Sequence, residues 1–164
     1  MTDETIFNDE EWSLLVGLPQ AVLSAASAVE RNSTRQTMAE GEAGLTAIAD
    51  ARDCGSPLVE TVAKEILFRV GGDPDLGEEP PVVAIPDDPA TYVAETLARA
   101  KAARALLSEK VDEGDAGAYR HWLVTIADGV VEAAPSGGVL GIGGEQVSAA
   151  EGRFVHQLSQ ALND

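Results

Sequence analysis

His121, Thr125, Asp128 and Glu132 follow one another at spacings of four, three and four. Side chains three and four apart on a helix share a face, so this pattern stacks an imidazole, a hydroxyl and two carboxylates along one stripe. Hard cations such as calcium are held by about six to eight oxygen ligands, and the stripe supplies several of them if Glu151, from the next helix, closes on it. The candidate metal ligands are therefore Asp128, Glu132 and Glu151. Alternatively the stripe is simply the wet side of an amphipathic helix.

Other candidate chemistry is thinner. Asp73-x-Asp75-x-Gly77-Glu78 has the acidic rhythm of a calcium loop, but its glycine falls one position early and prolines crowd it, so no loop of that kind is expected. The stretch Glu132 to Glu151, EAAPSGGVLGIGGEQVSAAE, is rich in glycine. It meets neither phosphate-binding pattern: no glycine-lysine pair occurs, Gln146 stands where a third glycine belongs, and no Lys or Arg lies between Arg120 and Arg153. It reads as a corner between helices, with glycine permitting the turns and Val139, Leu140 and Ile142 tucked inward. His121 and His156 both fall opposite the apolar faces of their helices and are expected in solvent. No Gly-x-Ser-x-Gly elbow occurs, and Cys54 has no histidine near it in sequence. No catalytic residue is assigned, and no cofactor other than a divalent cation is expected.

The elements that carry these residues read as helices. Asn8 caps the first, with Glu11 as its reciprocal partner and Phe7 and Trp12 spaced as a hydrophobic staple. From Trp12 to Val29 there is no charged residue for 18 positions. Pro19, Gln20 and several serines in a run that is largely alanine argue against a membrane span. The run suits a helix buried on most sides or one supplying a subunit interface, with a kink at Pro19. A second helix is expected over residues 34–53, stopping near Gly55. Ser56 and Pro57 then cap and open a third, running to Val70 with Leu58, Val59, Val62, Ala63, Ile66 and Val70 on one side.

Residues 71–88, rich in Pro and Gly, read as a connection, with Val82 to Ile85 as a short extended piece. Asp88 and Pro89 should start a fourth helix that continues to about Glu113 and ends at Gly114. The fifth is expected from about Ala116 to Ala134, with an apolar face of Tyr119, Trp122, Leu123, Ile126 and Val130. The sixth is expected from Ala149 to Leu162, behind the capping box Ser148-x-x-Glu151. Residues 14–26 and 122–134 match without a gap at an offset of 108 in their apolar pattern. Either the chain is duplicated, or two helices with similar faces coincide.

Charge bounds the partners. With 28 Asp and Glu against 11 Lys and Arg, the net charge is -17. That field repels the phosphates of nucleic acid and of anionic lipid, so neither is expected as the main partner. Three of the basic residues are lysine (Lys64, Lys101, Lys110), against 26 alanines and seven aromatic residues. The bias suits a salt-loving cytoplasm, where the screening length falls to about 3 Å and surface carboxylates no longer repel one another. An ordinary acidic cytosolic protein has the same signature. Cys54 is alone, which excludes an internal disulfide and a thiolate metal cluster. The segment MTDETIFNDEEW lacks the basic and apolar regions of a secretory signal, so a cytoplasmic location is expected.

At Ile126-Ala127-Asp128-Gly129, followed by a glycine-rich turn and the helix start Ser148-x-x-Glu151, the chain resembles the all-helical TerB-like, or tellurite-resistance, group. The resemblance covers about residues 120–162. It implies a cytoplasmic helical module that binds a divalent cation through acidic residues, here Asp128 and Glu151, and acts through protein contacts.

The sequence thus predicts an all-α, single-domain bundle of about six helices over residues 1–164, with halves at about 8–70 and 88–162. The function expected is a non-catalytic, stress-associated interaction module with a protein partner or self-association. A divalent-cation-binding protein comes second, and a small enzyme with an unrecognised pocket third.

Overall fold

The computed structural model describes residues 6–29, 34–70, 88–133 and 149–163. They form six α-helices and no strand: α1 (Asp9–Ala28), α2 (Thr34–Asp50), α3 (Pro57–Val70), α4 (Pro89–Lys110), α5 (Glu113–Ala133) and α6 (Ala149–Asn163), with one 3-10 turn at Ala51–Asp53. The connection 71–87, the glycine-rich corner and Ser148 lie outside the described residues.

The start of α1 is fixed locally. The Asn8 side chain accepts from the Glu11 N–H, and the Glu11 carboxylate accepts from the Asn8 N–H, both at 2.9 Å. Two N–H groups that a helix end leaves without partners are satisfied in this way. Phe7 and Trp12 stack across the cap with ring centroids 6.0 Å apart. Lys110, closing α4, donates to the Glu11 carboxylate at 2.6 Å and to the Ile6 carbonyl at 3.1 Å.

The uncharged run of α1 is buried: Leu15, Val16, Leu18, Pro19, Val22, Leu23 and every alanine of the helix lie in the core. Proline at position 19 has no N–H, so the carbonyl four residues earlier, that of Leu15, loses its partner within the helix. Tyr119 of α5, itself fully buried, donates its hydroxyl to that carbonyl at 2.7 Å. An unpaired buried carbonyl costs about 1–3 kcal/mol, so this bond is what lets proline sit in a core helix. Burial alone pushes the Tyr119 hydroxyl well above its ordinary pKa, which keeps it a donor at every physiological pH.

Helix α2 packs on α5 more extensively than any other pair among the described helices. Gly44 permits the approach of three helices: a Cβ there would lie 2.3 Å from Leu23 Cδ1 of α1 and 3.1 Å from Val130 Cγ2 of α5. Along the same seam the Trp122 ring N–H donates to the Ala47 carbonyl at 3.3 Å.

Gly55, at a φ of 91°, turns the chain between α2 and α3 in a conformation that glycine alone adopts freely. Ser56 then caps α3 and donates to the buried Asp115 of α5 at 2.6 Å, tying that turn to the bundle centre. On α3, Glu65 and Arg69, four residues apart, close at 2.7 Å. Glu60 instead turns back to accept from the Gly55 N–H at 2.8 Å.

One boundary differs from expectation. Helix α4 ends at Lys110, and Gly114 lies inside the first turn of α5 rather than after α4. The cause is Asp112, whose carboxylate accepts from the Asp115 N–H at 3.0 Å and starts a new helix before the glycine is reached.

A single hydrophobic cluster draws on all six helices. The two matched segments, in α1 and α5, pack against each other. Leu15, Leu18, Val22 and Leu23 are buried, as are their counterparts Leu123, Ile126, Val130 and Val131. Both helices occupy central positions, and a central position demands this pattern. No helix among the described residues is long and apolar enough to cross a membrane.

Candidate functional site

The polar stripe of α5 forms as its spacing requires, with His121, Thr125, Asp128 and Glu132 all exposed. The Ala127-Asp128-Gly129 segment lies within the helix and makes no turn there. Partial loss of solvent raises the Asp128 carboxyl above its usual range, the Glu132 charge adds to this, and His121 opposes it.

Glu151 does not join them. It lies in the first turn of α6 and is 1% exposed, whereas Asp128 and Glu132 face solvent. Helix α6 packs against α4 and α5, and Glu151 is the buried side chain of its first turn, where a helix N-terminus favours a carboxylate. No three His, Cys, Asp or Glu among the described residues are placed to hold a metal ion. His156 and Cys54 are both exposed.

A different feature lies between α4 and α6. The buried face of α4 consists of Thr96, Ala100, Ala103 and Leu107, three of which are small. Val93, Leu97 and Lys101 follow one another at four-residue spacing on a neighbouring row, and they form one wall of an open groove. Arg153, Gln157 and Gln160 of α6 form the other wall. The groove consists of two hollows of about 440 and 340 Å³ that share Gln157. Phe154 is buried beneath the first and Ala161 beneath the second.

The described lining of this groove is without carboxylates. None of its described lining residues is Asp or Glu, although such residues number 28 in the chain, and two of the 11 basic residues, Lys101 and Arg153, stand at it. Helix α4 carries Arg99, Lys101, Arg104 and Lys110 against Glu95 and Glu109, four minus two, and is the one helix of the six with a net positive charge. That asymmetry is readable from sequence, but the groove itself exists only once α4 and α6 are set side by side. Its described lining combines a largely apolar wall on α4 with two cations and two amides, and includes no carboxylate, histidine or thiol.

No family model, curated protein or solved structure matches the chain.

Proposed function

We propose that this protein is a non-catalytic helical interaction module whose contact surface is the groove between α4 and α6. The observation that carries this reading is the segregation of charge. Among the described residues of a chain of net charge -17, the lining of one open, partly apolar channel includes no carboxylate and does include Lys101 and Arg153. Elongated grooves between helices suit a segment of another protein, which contributes apolar anchors along its length. The resemblance to the TerB-like group agrees, since it too implies action through protein contacts.

A photo-crosslinking residue placed at Gln160, in cells of the source organism, tests the reading. One discrete adduct with a different protein is expected, and the same residue placed at Glu132 on α5 should not give it. Identical adducts from both positions, or none from Gln160, would overturn the reading.

A further inference from the structure

The groove also constrains what enters it. Resting on the interaction reading above, we infer that its occupant is an acidic, amphipathic helical segment of a different protein, with an apolar anchor in the larger hollow and a carboxylate at Lys101 or Arg153.

Shape argues for a helix. Val93 and Lys101 are eight positions apart, which at a rise of about 1.5 Å per residue gives a wall about 12 Å long, or about two turns of a docked helix. Two adjacent hollows match anchors one or two turns apart on an apolar stripe. The larger hollow, lined by Val29, Pro89, Val93 and Phe154, takes the bulkier apolar side chain, and Gln157 and Gln160 meet polar groups of the second turn.

Charge argues for acidity. Lys101 and Arg153 are exposed, and no described lining residue carries an opposing charge. An acidic segment gains attraction here, whereas a basic one meets two like charges in the groove and is drawn to the carboxylates elsewhere on the surface. Beyond the screening length, about 8 Å at physiological salt, the remaining acidic surface contributes little to the field within the groove.

Charge also argues against a second copy. A two-fold contact through this face sets cationic Lys101 and Arg153 against themselves or each other, since an isologous interface meets its own surface.

The test uses the full chain and a displayed library of 14-residue helix-forming peptides, randomised without charge bias. The enriched peptides should be net acidic, with apolar residues three or four apart. Lys101→Glu combined with Arg153→Glu should weaken their binding at least tenfold, and Glu132→Lys on α5 should leave it unchanged. Because the substituted residues are exposed, these variants should keep the wild-type melting temperature, which circular dichroism checks. Enrichment of basic peptides, acidic peptides that bind the charge-reversed variant equally well, or no enrichment at all would each overturn the inference. The wider reading fails separately: if Leu97→Arg abolishes the cellular crosslink while the charge reversal leaves it intact, the groove docks a protein that is not acidic. If neither substitution affects the crosslink, the groove is not the contact surface.

Discussion

Helices α1 and α4 are nearly the same length, at 20 and 22 residues, and both are rich in alanine, yet their environments are opposite. Every alanine of α1 is buried. In α4, Ala100 and Ala103 are buried, while Ala90, Ala94, Ala98, Ala102 and Ala105 are exposed. The residues between the alanines make the difference. Charge is absent from α1 after its first turn, and α4 carries six charged side chains that need solvent. Alanine suits both sites, since it forms helix well and carries no polar group to bury. Its neighbours decide which of the two it enters.

The most forceful way to break this comparison is to make one substitution in both helices. Ala25→Gln in α1 forces an amide and extra volume into a fully buried site and should cost about 3 kcal/mol or more. Ala98→Gln in α4 should stay within about 0.5 kcal/mol, as exposed substitutions do. Urea melts of the two variants decide it, and equal costs would mean that α4 is covered in solution.

A second test concerns what α1 needs from its neighbour. Tyr119→Phe strands the Leu15 carbonyl and should cost about 2 kcal/mol. In a Pro19→Ala background the new N–H can take that carbonyl, so the cost of Tyr119→Phe should shrink by about 1 kcal/mol or more. Strict additivity in this double-mutant cycle would show that the hydroxyl and the proline act independently.

Gly44→Ala sharpens the packed side of the comparison. The new methyl meets the buried end of Leu23 and should cost about 1–2 kcal/mol, part of it recovered by Leu23→Ala in the same chain. A neutral result would mean that the seam of α1, α2 and α5 has slack.

The smallest effect belongs to the solvent face. Asp128 and Glu132 are like charges four residues apart, so Asp128→Asn should stabilise by about 0.3 kcal/mol at pH 7. The sign follows from titration: a folded pKa raised above the ordinary 3.8 means that the charge destabilises the fold at higher pH. The gain from Asp128→Asn should therefore fade as pH drops through the raised value, and be gone below 3.8. Glu11 has the opposite sign. Lys110 holds its carboxyl below the ordinary 4.5, and the stability this gives is present above 4.5 and lost as pH falls through the lowered value. Repeating the melts with millimolar calcium tests cation binding on α5, since a bound ion would raise the wild-type melting temperature and leave Asp128→Asn unchanged.

What the sequence disclosed was local. The Asn8–Glu11 cap, the Phe7–Trp12 staple and the Gly55-Ser56-Pro57 break between α2 and α3 each depend on residues within about five positions. All three were legible for that reason. The expected α5 face also formed, and that of α3 from Leu58 to Ile66, because helical period sorts apolar from polar residues without tertiary information. Asp112 was readable as a cap but was overshadowed by Gly114, a stronger-looking stop signal. The burial of Glu151 was not legible, because spacing within a helix does not say which side its neighbours cover. The groove was not legible, since its walls come from helices some 50 residues apart in the chain, although the net positive charge of α4 pointed to it. Tyr119 and Leu15 left a fainter clue: a proline in an apolar helix frees a carbonyl, and a tyrosine in an apolar face must find an acceptor.

That last pair has a consequence during synthesis. Leu15 and Tyr119 are 104 residues apart, and ribosomes add about 5–20 residues per second, so Leu15 is made about 5–20 s before Tyr119. For that interval its middle carbonyl can bond only to water, and the uncharged run from Trp12 to Val29 has no α5 to lie against. The core position of α1 is thus completed only once α5 is available to cover it.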